Sequence, residues 1–440
     1  MEYLFSHTPL HFFIQSFWRD EAFTYLLATK PLLQIFALTA RDFNPPLYYV
    51  VLHYWIMIAG KSEIALRTLS FIGYWSVLYV SYYIMRDMMK FTVKKSALYL
   101  LLVLINPILV YYAFEARMYS LFAFLAALSF YAFYTKKWKM YYVATIAGLY
   151  THYFMVLVVL SQLVYTYLFN KRSRTELLVP IKATASLIPW IIYVFAVKPV
   201  FSEQFWILKP QLFDLFYLPA QLYTGYEKDL GYLQVGTGGV IWFLLVLSGF
   251  AYYMYYSAYK QIHHSKNHTS RTLLSYLTIW AVGGPLLIFV LSVLKPLYLT
   301  RYLIYAAPGI SLLLIYCLDH LKKTPKVVMI AVLFLMTWSY QSIQIKNRTK
   351  TDLAKPIREI AYLAKPGDML FVSSELDYFT AQYYFNPDRV YIYGKSYREI
   401  PAYVGKVLIP PSRVAPLLPA YPNKAFVMDS YGNYEIKAAQ

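Results

Sequence analysis

Cysteine is almost absent from this chain. Cys317 is the only one, so no intrachain disulfide can brace the fold. It falls inside an apolar run and is assigned no role. Charge is scarce as well. Asp, Glu, Lys and Arg together make up 14% of the residues, where a soluble globular domain carries about a quarter. Acids are the rarer sign, 22 against 41 basic residues, for a formal charge of +19. In a soluble protein that excess would raise nucleic-acid binding. No nucleic-acid signature is present, and the basic residues cluster in loops between apolar runs, the positive-inside pattern of membrane proteins. No internal repeat is found, which weighs against the paired, broken-helix layout of many secondary transporters. The start lacks the basic segment and small-residue cleavage site of a signal peptide. What is abundant is apolar and aromatic: 59% hydrophobic residues and 48 tyrosines, with a mean hydropathy of +0.43.

Taken along its length, the chain is expected to be an α-helical polytopic membrane protein. Ten spans are placed at about 64–85, 96–113, 116–134, 139–151, 153–170, 177–197, 238–259, 272–294, 302–319 and 327–344. Their long apolar stretches suit a hydrocarbon slab. Every second loop is basic and is placed in the cytoplasm, carrying Arg86 with Lys90, Lys136 with Lys137, Lys171 with Arg172, Lys260 with Arg271, and Lys322 with Lys326. The other loops, 1–63, 114–115, 151–152, 198–237 and 295–301, then face out. Residues 139–170 are short for two spans and long for one; reading them as one would invert the orientation of everything after them, so two are expected. Residues 20–38 read as one amphipathic surface helix. Pro45–Ala59 reads as an in-plane or tilted helix opened by its prolines. After Ile345 the composition turns polar. Residues 346–440 are expected to form a small extracytoplasmic α/β domain, with helices at Pro356–Ala364 and Leu376–Phe385. Strands are expected at Met369–Ser373, Arg389–Tyr393, Ala425–Met428 and Tyr434–Lys437.

Three outward features carry chemistry. The first is Asp20-Glu21, with Asp42 and Asn44 further along the same loop, 18–62. The second is Glu115-Ala116-Arg117-Met118-Tyr119. The third runs from Lys295 to Arg301-Tyr302. Charges beside a hydrocarbon slab are costly unless they pair or line an aqueous cavity. A carboxylate there can act as general base toward a hydroxyl. Lys and Arg can hold a phosphate, Arg as a bidentate fork. Each residue also has a structural reading. Asp20 and Glu21 suit the first turn of a helix. Asp42 and Asn44 suit a cap on the helix opened by Pro45 and Pro46. Glu115 and Arg117 suit an interfacial ion pair. Arg67 suits snorkelling, or pairing with Glu63 one turn earlier. Lys295 and Arg301 suit interface anchors, and His152 a hydrogen-bonded interfacial ring. His263, His264 and His268 read as a polar loop rather than a metal site.

Five motifs in order are Trp18-x-Asp20-Glu21-Ala22; Asp42-x-Asn44-Pro45-Pro46-Leu47-Tyr48-Tyr49; Gly60-x-Ser62-Glu63-x-x-x-Arg67-x-x-Ser70; Glu115-Ala116-Arg117-Met118-Tyr119-Ser120-Leu121; and Arg301-Tyr302. This series resembles bacterial GT-C glycosyltransferases, of the branch related to protein O-mannosyltransferases and the lipid A aminoarabinose transferase. The resemblance covers residues 1–345, the expected transmembrane glycosyltransferase domain, far better than 346–440. It implies about ten to eleven transmembrane helices, a polyprenyl-phosphate-linked sugar as donor, and inversion at the anomeric carbon. It places a multi-pass protein in the plasma (inner) membrane, with its active site on the extracytoplasmic side. Asp20 is then the general base, Glu21 a second acid of the motif, and Glu115 the acid of the second outer loop. Arg117, Lys295 and Arg301 are the implied phosphate ligands, while Asp42, Asn44, Tyr119 and His152 position acceptor or loop. The acceptor is a lipid, glycan or protein. No cofactor is required, although the Asp20-Glu21 pair is a place for a divalent cation. The chain departs from the family in two ways. Relatives have a full span before the Trp-x-Asp-Glu motif, so an incomplete first span is expected here. Many also have His where Asn44 stands; an amide can hydrogen-bond but cannot shuttle a proton near neutral pH. From other classes, a flippase or transporter of lipid-linked sugars and a non-catalytic scaffold remain alternatives.

Overall fold

The protein was analysed as a computed structural model, which describes residues 5, 7–169, 173–197, 207–227, 237–265, 267–414 and 417–438. Parts of the expected outer loop 198–237, and the basic residues Lys171, Arg172 and Lys266, lie outside the described residues. By contacts the chain divides into two compact units. One is Met1–Phe12, Thr68–Ile191 and Trp206–Arg348; the other is Phe13–Arg67, Ile192–Phe205 and Thr349–Gln440.

The first unit is helical. Among the described residues five helices are long and apolar enough to cross a membrane: Glu63–Met88, Arg174–Val197, Gly239–His264, His268–Leu294 and Lys323–Asn347. The remaining expected stretches are helical too, but shorter or bent. Trp138–Leu149 and Met155–Phe169 form two helices, not one. Ala306–Asp319 has only 14 residues, yet Ala306 to Leu318 are all buried, so protein rather than lipid sheathes it. The architecture is that of a multi-pass membrane protein.

The expected continuous helix over 96–113 is not continuous. Val93–Leu104 and Pro107–Ala113 meet at 72°. The cause is Asn106-Pro107. Proline has no N–H to donate, and it pushes the preceding residue out of the helical region. Asn106 adopts an extended conformation and caps the second helix, its Oδ1 accepting from the Leu109 N–H at 3.1 Å. Its Nδ2 donates to Ser311 Oγ at 2.9 Å. Polar side chains also join helices within the unit. Ser129 Oγ lies 2.9 Å from Thr145 Oγ1, Gln162 Nε2 donates to Ser129, and Tyr141 OH donates to Gln162 Oε1 at 2.7 Å. Such bonds hold helices together where water is excluded and the hydrophobic effect cannot separate helix from lipid.

The second unit joins the 13–67 segment to the tail. The expected single helix over 20–38 is two, Arg19–Ala28 and Leu32–Arg41, broken at Pro31. The tail holds a four-stranded sheet: β1 Met369–Val372, β2 Val390–Ile392, β3 Ala425–Met428 and β4 Tyr434–Lys437, in the order β2-β1-β3-β4. β1 runs parallel to β2 and β3, while β3 and β4 form the expected hairpin. The Tyr378–Tyr384 helix packs on Arg19–Ala28 through aromatic rings. Phe23 meets Phe379 at 5.4 Å, Tyr25 meets Tyr383 edge-on at 5.0 Å, and Phe17 meets Tyr383 at 4.6 Å. Gly405 has φ +87°, and a Cβ there would lie 2.6 Å from the Phe23 ring. Both backbone sign and space therefore demand glycine.

Candidate active site

Within the second unit the acid pair opens the Arg19–Ala28 helix, both residues in its first turn. No side chain caps this helix at Trp18. The two acids differ in environment. Glu21 is completely buried, and both of its oxygens are taken by cations. Arg67 Nε reaches Oε1 at 2.8 Å and Nη2 reaches Oε2 at 2.7 Å, while Lys350 Nζ reaches Oε2 at 2.8 Å. Burial pushes the Glu21 carboxyl upward, but the charges and hydrogen bonds of Arg67 and Lys350 outweigh it and hold the group at about 2. Asp20 keeps 16% of its side chain exposed, with Oδ1 2.9 Å from Arg19 Nε.

Arg67 does not snorkel, and its partner is not Glu63. Its side chain is fully buried. Beyond Glu21 it donates to the carbonyls of Phe13 at 2.8 Å, Gln15 at 2.7 Å and Ser16 at 3.4 Å. Glu63 instead accepts from Arg358 at 3.0 Å and from Tyr384 OH at 2.9 Å. Asp42 and Asn44 do not cap the proline-led helix either. Asn44 Nδ2 donates to Asp42 Oδ2 at 2.6 Å. The backbone here closes the preceding helix: Asn44 N–H bonds Thr39 O, Phe43 N–H bonds Ala40 O, and Phe43 takes φ 58°. That is the left-handed helix ending usually given to glycine.

Within the first unit, Glu115 and Arg117 sit in the short link between Pro107–Ala113 and Tyr119–Tyr134. Both are buried, at 1% and 9% exposure. Arg117 O accepts from Ser70 Oγ at 3.1 Å, and Arg117 lies 5.8 Å from the Tyr119 ring. Tyr119 packs edge-on against Tyr112 at 4.7 Å. His152 is stacked on Phe122 at 4.6 Å and flanked by Tyr302 at 5.4 Å. Burial, then the Arg117 charge, lowers its pKa to about 3. The neutral ring accepts the Phe154 N–H at Nδ1, 3.1 Å away, so its proton sits on Nε2. Arg301 is 4% exposed, and its backbone N–H donates to Glu227 Oε1 at 2.9 Å. Lys295, by contrast, is exposed at the end of its helix.

Several residues of these clusters carry no motif. Glu227 stands just after the Leu218–Thr224 helix, and Arg348 and Lys350 sit where the last long helix gives way to the polar tail. Arg348 lies over the Tyr111 ring at 3.2 Å and reaches Tyr112 OH at 3.4 Å. Glu227 Oε2 and both ends of the Gln344 amide are buried with no hydrogen-bond partner among the described residues. Such atoms are rare in folded proteins and mark places where water, an ion or polar ligand atoms fit.

Among the described residues no group of three or more His, Cys, Asp or Glu side chains is gathered to hold a metal ion. The Asp20-Glu21 pair does not fit a divalent cation, because Arg67 and Lys350 already occupy both Glu21 oxygens.

No protein-family model and no curated protein matches the sequence. Solved structures match by fold. ArnT from Cupriavidus metallidurans bound to undecaprenyl phosphate superposes with a TM-score of 0.62 at 13% identity, covering 97% of this chain and 91% of that one. The same protein in its apo state gives 0.59 at 14% identity, over 87% and 82%. The chain therefore shares the fold of these ArnT structures, helical with a small C-terminal sheet, which is the fold the motif series implies.

Proposed function

We propose that this protein is an integral-membrane glycosyltransferase. It moves one sugar from a polyprenyl-phosphate donor to a nucleophile, chiefly a hydroxyl, on the extracytoplasmic side of the plasma membrane. A lipid-linked donor is supported by the shared fold, since one ArnT structure holds undecaprenyl phosphate. The observation that carries the reading is the division of labour in the acid pair. Glu21 is ionised, buried and saturated by two cations, whereas Asp20 keeps an exposed edge at the mouth of its helix.

In the proposed step Asp20 takes the proton of the acceptor hydroxyl. The acceptor oxygen attacks the anomeric carbon, and the bond from that carbon to the phosphate oxygen breaks with inversion. Its electron pair leaves on the polyprenyl phosphate. Arg117, Arg301 and Lys295 are the proposed ligands of that phosphate; fixed cations stabilise charge most where water is excluded. Glu115 and Tyr119 order the second outer link, and His152, Asp42 and Asn44 position acceptor or loop. Phosphate is already a competent leaving group, so the proposal routes no step through a metal.

The test uses proteoliposomes holding the wild type or Asp20→Asn, with a panel of labelled polyprenyl-phosphate sugars. The proposal expects donor consumption by the wild type and its loss in the variant by at least about a hundredfold. Labelled lipid crossing the bilayer with no sugar transferred would replace the enzyme with a flippase. Consumption unchanged in the variant would remove Asp20 as base.

A further inference from the structure

The segment before Trp18 has no regular structure at residues 15–18, so its backbone groups depend on partners elsewhere. Arg67 takes the carbonyls of Phe13, Gln15 and Ser16. The other supports come from the tail. The Phe17 N–H donates to Tyr384 OH at 2.8 Å. Ser16 Oγ donates to the Thr351 carbonyl at 2.8 Å. Lys350 binds Glu21, and the Tyr383 hydroxyl donates to the Lys61 carbonyl at 2.6 Å. Tyr384 is itself oriented. Its one hydroxyl proton goes to Glu63 Oε1 at 2.9 Å, which leaves a lone pair for Phe17. The rings of Phe17 and Tyr25, packed on Tyr383, close the same contact.

We propose that Lys350 and Tyr384 are positioning residues for Asp20, and that residues 349–440 serve as the template on which the acid-bearing segment 13–21 is shaped. The inference rests on the transferase reading for its kinetic consequence, but its structural content stands apart from it. Neither residue touches reacting atoms in this assignment. They act through the backbone that sets where Asp20 points, and a misplacement of about 1 Å can cost on the order of a hundredfold in rate.

The experiment uses the full chain in proteoliposomes, with Tyr384→Phe, Lys350→Met and Lys350→Arg. Hydrogen exchange is followed over residues 13–24, with the buried 306–319 helix as internal control. Tyr384→Phe keeps the ring and removes the oxygen that joins the Phe17 N–H to Glu63. Exchange over 13–18 should rise by about tenfold or more, with the control unchanged. With the polyprenyl-phosphate sugar, kcat should fall roughly ten- to hundredfold while KM stays within about threefold. Lys350→Met should behave alike, and Lys350→Arg should restore most of kcat, because the cation on Glu21 returns. If Tyr384→Phe fails to fold, the Lys350 pair carries the test. Unchanged exchange and unchanged kcat overturn the proposal, as does a rise in KM at constant kcat, which would make these residues substrate ligands. If the wild type consumes no donor, the transferase reading falls alone, and the exchange arm still decides the template.

Discussion

Arg67 lays one edge of its guanidinium along the Glu21 carboxylate, with contacts of 2.8 and 2.7 Å and neither side chain exposed. Lys350 adds a second cation to the same group, leaving one negative charge between two positive ones. The remaining Arg67 donors go to backbone carbonyls. The pair is thus a fastening for the segment that carries Asp20, not merely a neutralised charge.

Removing Arg67 leaves the buried Glu21 to Lys350 and takes the donors from the carbonyls of Phe13, Gln15 and Ser16. Arg67→Met should cost about 3 kcal/mol or more, because a buried carboxylate loses its two-point partner and the carbonyls of the segment lose their donors. Arg67→Met combined with Glu21→Leu should recover only part of the loss, since Lys350 then lacks its acid and the carbonyls stay without the Arg67 donors. Thermal unfolding in detergent reads both; a double variant no better than the single one refutes the account. The pH dependence has a definite sign. The folded Glu21 carboxyl titrates near 2, below its ordinary 4.5. Its stabilisation is complete above the ordinary value and fades as pH falls from there toward 2.

His152 predicts a second acid-sensitive window. Its folded pKa is lowered from 6.5 to about 3 by burial and by Arg117. Between those values the unfolded chain binds the extra proton and the folded one does not. Stability should therefore fall as pH drops below 6.5, with a slope approaching about 1.4 kcal/mol per pH unit. His152→Phe should flatten the stability profile between pH 6 and 4, measured by unfolding midpoints across buffers. An equally steep profile in that variant would assign the effect elsewhere.

Gly405 should tolerate no side chain. Alanine there meets both the positive φ and the Phe23 ring. Gly405→Ala should destabilise by about 2 kcal/mol or more. Adding Phe23→Leu should recover only the steric share, since the backbone cost persists. Full recovery would show that the ring alone sets the requirement, and differential scanning fluorimetry is sufficient to decide.

Much of the fold was legible along the chain. The apolar stretches are helical where hydropathy placed them. The tail's sheet is also where alternation and turn residues placed it, down to the Asp429–Asn433 connection between β3 and β4. Where the structure departs from the pattern along the chain, the causes are local. Asn106-Pro107 breaks a helix because proline removes a donor, and Pro31 does the same between Arg19–Ala28 and Leu32–Arg41. Asp42 and Asn44 suit an N-terminal cap because prolines follow them, yet Phe43 in the left-handed region closes the earlier helix instead. The pairing of Arg67 was less accessible. Glu63 is four residues away, a helical turn, and neighbours along the chain are the natural first partners. Glu21 is 46 residues away, and Lys350 lies 329 from Glu21.

By itself the sequence determined the solvent this protein lives in, the helical class, the two-part composition and the candidate chemistry. Those follow from transfer free energies and short-range periodicity, which act residue by residue. Only tertiary structure decided which acid of the pair is a structural anchor and which keeps an open face. It also decided that the polar tail packs with residues 13–67 and that His152 is held neutral. Each of these depends on burial and on the charges brought close by folding. An electrostatic energy depends on distance and surroundings, and neither is written in a chain until it has closed on itself.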